Sequence, residues 1–358
     1  MNVHEELFGG NIPQDVTEKQ GENAIFIVYG LKQSDDAIKQ VKDVCANFSA
    51  LIRSMRNRFP DMQFSCTMGF GADAWSRLFP ELDKPKELST FEEIKGDKYI
   101  AVSTPGDLLL HIRAKQMGLC FEFASIIDEK LKGVAESIDE THGFRYMDGK
   151  AIIGFVDGTE NPAVDENPYH FAVVGDEDPQ FAGGSYVFVQ KYIHDMIAWN
   201  SLPVEAQEKV IGRRKYNDVE LSDEEKPQNA HNAVTNIGDD LKIVRANMPF
   251  ANTSKGEYGT YFIGYASTFS TTRKMLENMF IGDPVGNTDC FLYLRTICLL
   301  HSENSNHSPY STVSAIQAKT LAISLEALLL MVPELLFIRL SVVDVELDAE
   351  LPISVSPQ

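Results

Sequence analysis

At 358 residues with 44% hydrophobic content, the chain is long enough for one large domain or two small ones and apolar enough to bury a core. A formal net charge of −20 argues against a nucleic-acid partner, which needs a basic surface, and against docking on anionic lipid. The same charge suits neutral or cationic small molecules. Five cysteines (Cys45, Cys66, Cys120, Cys290 and Cys298) are irregularly spaced, with no CxxC pair. Neither a disulfide framework nor a zinc site is indicated, and reduced thiols in a cytoplasm are the plain reading. Met1 to Leu7 lacks the basic and apolar regions of a signal peptide. The apolar stretch Leu325 to Leu340 is broken by Glu326, Pro333, Glu334 and Arg339, so no membrane span is predicted.

Residues 1–20 are polar and read as an arm. Ala24 to Tyr29 is an apolar, β-rich run that predicts a buried strand. Asp35 to Arg58 carries Ile38, Val41, Val44, Phe48, Leu51, Ile52 and Met55 at helical spacing. Strands are predicted over Gln63–Phe70 and Leu108–Ile112, a helix over Gln116–Leu131, and a strand over Ala135–Glu140. The order β-α-β-β-α-β is that of a ferredoxin-like unit. It starts again with a strand at Ser185–Tyr192, a helix over His194–Ile211, strands at Leu241–Asn247 and Tyr258–Tyr265, and a helix at Thr271–Phe280. A final strand should follow. Two copies of one unit give an α+β protein of two helix-shielded sheets. The Gly- and Asp-rich connection Gly143 to Gly184 is long enough to suggest function.

Three segments carry chemistry. In Gly154-Phe155-Val156-Asp157-Gly158-Thr159-Glu160-Asn161-Pro162, Asp-Gly after an apolar run is either a plain turn or a turn that presents a carboxylate into a cavity. There it can pass a proton between two oxygens. His231, in Pro227-Gln228-Asn229-Ala230-His231-Asn232, has no HxxxH or HxH partner, which argues against zinc. It is either an ordinary surface histidine or a lone ligand, and a single axial imidazole is all that a haem requires. Arg245 and Asn247 share one face of an apolar strand. Arg245 must there form a structural salt bridge or reach a cavity.

Together these segments resemble the dye-decolourising peroxidases, in the bacterial cytoplasmic B- or P-type group. Gly154 to Gly158 matches the family's GxxDG signature, and Thr159 to Pro162 extends the match. His231 falls at the family's proximal haem ligand, and Arg245 and Asn247 match its distal Arg-x-Asn pair. The flanking His142-Gly143-Phe144-Arg145, Gly183-Gly184-Ser185-Tyr186-Val187-Phe188-Val189-Gln190 and Val210-Ile211-Gly212-Arg213 also agree. The similarity spans residue 8 to Asp289. It implies two ferredoxin-like repeats in a dimeric α/β-barrel-type fold that holds haem b (iron protoporphyrin IX) through His231. It further implies hydrogen peroxide and a small organic reductant as substrates. Asp157 becomes the proton shuttle, Arg245 the charge beside the breaking O–O bond, and Asn247 the group that orients distal water or peroxide. Asp289 is implied as the acceptor behind His231, and Arg213 as a haem-propionate partner or, equally, a plain surface charge. Relatives form dimers to hexamers, and some are packaged in encapsulin shells, though the final residues of this chain carry no convincing tag.

The implied organisation is an arm at 1–20, a first repeat at 21–145, a distal loop with the second, haem-binding repeat at 146–290, and a divergent tail at 291–358. No glycine follows Gly286, although the chain holds 24. Where the family continues to a Thr-Gly and a Phe-rich strand, this chain reads Cys290-Phe291-Leu292-Tyr293-Leu294-Arg295. The fourth strand of the second repeat is therefore expected to be missing, as after a frame shift or a replaced terminus, with Leu328 to Val332 a weak substitute. Two rivals to a peroxidase follow: a haem storage, delivery or iron-release protein, which needs neither Asp157 nor Arg245, and a chain whose altered tail prevents haem binding.

Overall fold

The computed structural model describes residues 13–18, 21–163, 165–297 and 320–322. The first repeat runs β1 (Asn23–Leu31), α1 (Asp35–Arg58), β2 (Ser65–Gly71), α2 (Ala72–Leu78), the small pair β3 (Ile94–Lys95) and β4 (Ile100–Ala101), β5 (Leu108–Ala114), α3 (Met117–Leu131) and β6 (Ala135–Phe144). Helix α1 follows its sequence closely. Ser34 caps it by accepting from the Ala37 N–H at 3.2 Å, Asp35 and Asp36 sit at its positive end, and Arg56 and Arg58 at its negative end. Val41, Val44, Phe48, Ile52 and Met55 form its buried stripe.

Strand β1 is buried on both faces, and its alternation sorts two cores. Ile25, Ile27 and Tyr29 pack outward with Phe48 and Phe123 of the helices. Ala24, Phe26 and Val28 pack inward against Val187, Val189, Tyr261 and Ile263 of the second repeat. The barrel interior is thus a side-chain core, not a ligand chamber. It is tied by a 2.8 Å hydrogen bond between His111 Nδ1 and the Tyr265 hydroxyl, and by Phe26 stacked between His111 and Tyr261.

The second repeat contributes α4 (Pro168–Ala172) in the long connection, then β7 (Ser185–His194), α5 (Met196–Ser201), α6 (Val204–Ile211), α7 (His231–Thr235), β8 (Val244–Arg245), β9 (Met248–Asn252), β10 (Glu257–Ala266), α8 (Phe269–Phe280), β11 (Arg295–Ile297) and β12 (Thr320–Ala322). The strand order is β6-β1-β5-β2-β12-β7-β10-β8, with β9 also on β10 and β11 also on β7, all antiparallel. Each half shows the 4-1-3-2 order of a ferredoxin-like unit. The fold is therefore the α+β double repeat expected. Its free edges approach one another: a Cβ on Gly143 of β6 would lie 2.5 Å from Met248 Cβ of β9, so closure there requires glycine.

Three expectations need correction. The helix foreseen over His194–Ile211 is two short helices, because Pro203 cannot donate and holds Leu202 extended. The strand foreseen over Leu241–Asn247 is regular only at Val244–Arg245 before β9 begins. The Ile263 N–H donates to the Asn247 side chain at 3.2 Å and interrupts the ladder. The fourth strand of the second repeat is present: Thr320–Ala322 fills the slot between β2 and β7. Paired edges on both sides can recruit a short segment with weak pattern of its own, since backbone hydrogen bonds supply the affinity. The run Leu328 to Val332 and residues 1–12 lie outside the described residues, whereas 13–18 pack on the first sheet, with the Gln14 side chain donating to Met68 O at 2.9 Å. Among the described residues no helix is long and apolar enough to cross a membrane.

Candidate active site

A cavity lies between the outer face of the second sheet and helices α6, α7 and α8. Ile153, Phe155, Ile211, Ile243, Phe262, Met279 and Phe291 make most of its wall apolar. Asp157, Arg213, His231, Arg245 and Asn247 all line it, so the sequence-distant segments 154–162 and 231–247 converge.

His231 opens α7, where the preceding Pro227-to-Ala230 turn is stitched to the chain after α8. The Cys290 N–H donates to Asn229 O at 3.0 Å, and the Asp289 N–H to Met279 O at 3.0 Å. This brings the Asp289 carboxylate, fully buried, to 2.7 Å from His231 Nδ1. Its other oxygen accepts the Phe291 N–H at 2.8 Å. A carboxylate only accepts, so Nδ1 carries the proton and the Nε2 lone pair is left available for a ligand. Phe291 packs edge-on against the imidazole, with ring centroids 5.6 Å apart, and is itself braced by Trp199 and His194.

The second polar group sits on the Asp157 loop and β8. Asn247 is fixed through Oδ1, which accepts the Ile263 backbone N–H, and this orients Nδ2 to donate to Asp157 Oδ1 at 3.1 Å. Asp157 Oδ2 is buried and has no hydrogen-bond partner among the described residues. Arg245 Nε is buried in the same condition. Burial pulls the Arg245 pKa below its ordinary value, while the Asp157 and Glu160 carboxylates oppose that shift. A guanidinium begins so high that it stays charged. Two groups of opposite sign, each with a buried polar atom that lacks a hydrogen-bond partner among the described residues, thus line one cavity.

Arg213 stands at the cavity wall, donating through Nη1 to Glu160 at 3.0 Å and through Nε to Asp218 Oδ1 at 3.0 Å. With the bond from Nη2 to Asp218 O, and Glu220 Oε2 at 3.7 Å from Nη1, three carboxylates surround the Arg213 guanidinium. Sequence reasoning did not single out Phe291, Gln190 or Thr260 for the site. Their only signal is apolar or polar character in strands and turns, which is common to core residues.

Residues 13–145 match the family model for the N-terminal part of Dyp-type peroxidases, and residues 148–297 the model for the C-terminal part. The chain belongs to the Dyp-type peroxidase family. A dye-decolorizing peroxidase of Rhodococcus erythropolis is 51% identical over 289 residues, spanning 80% of this chain and 84% of its own. A crystal structure of a dye-decolorizing peroxidase from Bacteroides thetaiotaomicron is 77% identical, with a TM-score of 0.83, covering 90% of this chain and 98% of its own. DyPB from Rhodococcus jostii, solved in several variants in complex with heme, is 40% identical with a TM-score of about 0.8, covering 88% of this chain and 97% of its own. This Dyp-type member is thus a peroxidase, and the carrier reading, which has no use for Asp157 with Arg245, is not favoured.

Proposed function

We propose that the cavity holds haem b through His231, and that Asp157, Arg245 and Asn247 activate hydrogen peroxide on its other side. One observation carries this reading: a histidine backed by a buried carboxylate shares one apolar cavity with an aspartate and an arginine whose buried Oδ2 and Nε atoms lack hydrogen-bond partners among the described residues. The residues present fit the group. Nε2 of His231 can ligate, the apolar wall suits a macrocycle, and a guanidinium at that wall, Arg213, is of the chemistry that pairs with a propionate. When bound, haem supplies the iron at which peroxide is reduced.

The chain's own residues divide the remaining work. Asp157 Oδ2 accepts the proton from one peroxide oxygen and delivers it to the other, so that the distant oxygen departs as water. Asn247 holds Oδ1 and thereby aims Oδ2. Arg245 places a fixed positive charge where negative charge develops as the O–O bond breaks. Asp289 fixes the tautomer and ring direction of His231 and raises its basicity. Two one-electron donors, organic molecules of broad range, together with two protons, then complete the reduction to two waters.

Pyridine haemochrome assay of the purified protein, followed by peroxide-dependent dye oxidation, tests the whole reading. Bound haem with no turnover would sink the catalytic assignment. We further assign the first repeat to 21–145 and the second to 146–290 completed by the strand Thr320–Ala322, and assign a cytoplasmic homo-oligomer from dimer to hexamer. Light scattering that shows only monomer would refute the last of these.

A further inference from the structure

Strand β8 is the last strand of its sheet and bonds to β10 on one side only. In its register Arg245 faces Gly264, and the next residue, Ala246, donates its N–H to Ile263 O at 3.1 Å. Antiparallel strands alternate in this respect, so the N–H and C=O of Arg245 point away from β10. An edge position would leave both unsatisfied beside the cavity. Asn161, 84 residues earlier, takes both: its Oδ1 accepts the Arg245 N–H at 2.8 Å, and its Nδ2 donates to the Arg245 C=O at 2.9 Å. The side-chain amide stands where the peptide of a neighbouring strand would be.

Asn161 also closes the turn that carries Asp157. Its own N–H donates to Gly158 O at 3.1 Å, while the Asp157 N–H donates to Gly149 O at 3.1 Å. Arg245 Nε has no hydrogen-bond partner among the described residues, so the hold on the Arg245 backbone contributes to where its guanidinium stands. The turn beside Asp157, through the Asn161 backbone, and the Arg245 backbone, through the Asn161 side chain, therefore meet at one residue. Only an amide offers an acceptor and a donor at this spacing. Aspartate would set a carboxylate oxygen against the Arg245 carbonyl, and alanine would leave both backbone groups bare.

We infer that Asn161 is a positioning residue for peroxide activation, fixing Asp157 and Arg245 relative to each other. This rests on the roles given to those two residues above. Asn161 makes no direct contact with peroxide in this assignment; it acts through the two residues it joins.

The test compares Asn161→Ala and Asn161→Asp with Asp157→Ala and Arg245→Leu, all as haem-loaded proteins. Three quantities are read: the second-order rate of reaction with hydrogen peroxide, haem content, and hydrogen exchange at the Arg245 amide. For Asn161→Ala the rate should fall by about 10- to 100-fold, the scale of a small misplacement of catalytic groups. Haem content should stay at the wild-type level and the Arg245 amide should lose its protection. Asn161→Asp, which keeps the N–H acceptor, should retain that protection and still lose rate. Combined with Asp157→Ala, the Asn161 change should cost less than it does alone, because the relative placement of Asp157 and Arg245 no longer matters. A wild-type rate in Asn161→Ala, with Asp157→Ala and Arg245→Leu both slowed, overturns the inference and leaves the site reading standing. Wild-type rates in both of those reference variants overturn the site reading and the inference with it. If Asn161→Ala fails to fold, Asn161→Asp decides: haem retained with an unchanged rate overturns the inference. A loss that simply adds to that of Asp157→Ala also overturns it.

Discussion

Replacing Asp289 with asparagine isolates what the carboxylate behind His231 does. Asp289 is fully buried and accepts two N–H groups, His231 Nδ1 at 2.7 Å and the Phe291 amide at 2.8 Å. Asparagine has the same shape but only one acceptor oxygen. Whichever way the amide turns, its NH2 faces a donor, and one of the two bonds is lost. A hydrogen bond to a charged group contributes about 1.5–3 kcal/mol, and an orphaned buried donor costs a similar amount. If that energy is spread over the iron's two oxidation states as a one-electron difference, it corresponds to roughly 60–130 mV, using 59 mV per tenfold change. Loss of the negative charge disfavours the ferric state, so the potential should rise. Haem affinity should fall by about 10- to 100-fold, as for other partners behind a metal-ligating histidine. Spectroelectrochemical titration and haem-transfer kinetics measure the two effects. An unchanged potential together with unchanged haem affinity would refute the claim that Asp289 tunes His231.

The other expectations are more direct. His231→Ala should abolish haem retention by haemochrome assay, and wild-type haem content would remove His231 as the ligand. Arg245→Leu should slow the stopped-flow peroxide reaction by about 10²–10³, or 2.7–4 kcal/mol, the loss typical of one preorganised charge or donor; no slowing would remove Arg245 from the mechanism. His111 gives a pH prediction for stability. Burial holds its pKa well below the usual 6.5, with the Arg113 charge a smaller cause. Below about pH 6.5 the unfolded chain binds a proton that the folded chain refuses, so this site makes stability fall as pH drops. The slope approaches about 1.36 kcal/mol per pH unit. Relative to wild type, His111→Gln should therefore gain stability between about pH 6.5 and 5 in urea titrations. Parallel curves for the two proteins would contradict a neutral buried imidazole.

The sequence alone determined the elements whose periodicity is strong. Helix α1 begins and ends where Ser34 and the Phe59-Pro60 step say it must, and β1 declares itself as a strand buried on both faces. The chemical types of the site were also legible, because GxxDG, a lone histidine and Arg-x-Asn are local text. Their assembly was legible only through the resemblance to a family, not from the residues themselves. That Asp289 reaches His231 and that Asn247 aims Asp157 follow from turns packed against a sheet formed by residues far apart in the chain, and no period in the sequence reports such contacts. Pro203 was written in the sequence, yet the apolar pattern around it suggested a continuous helix until the lost donor broke it. The fourth strand of the second repeat was decided by tertiary structure alone. Thr320–Ala322 has little pattern of its own, and it is a strand because β2 and β7 offer it hydrogen bonds on both sides. Local chemistry is fixed by local sequence. Which unpaired edges meet, and which polar groups are left open toward a shared cavity, depends on long-range packing.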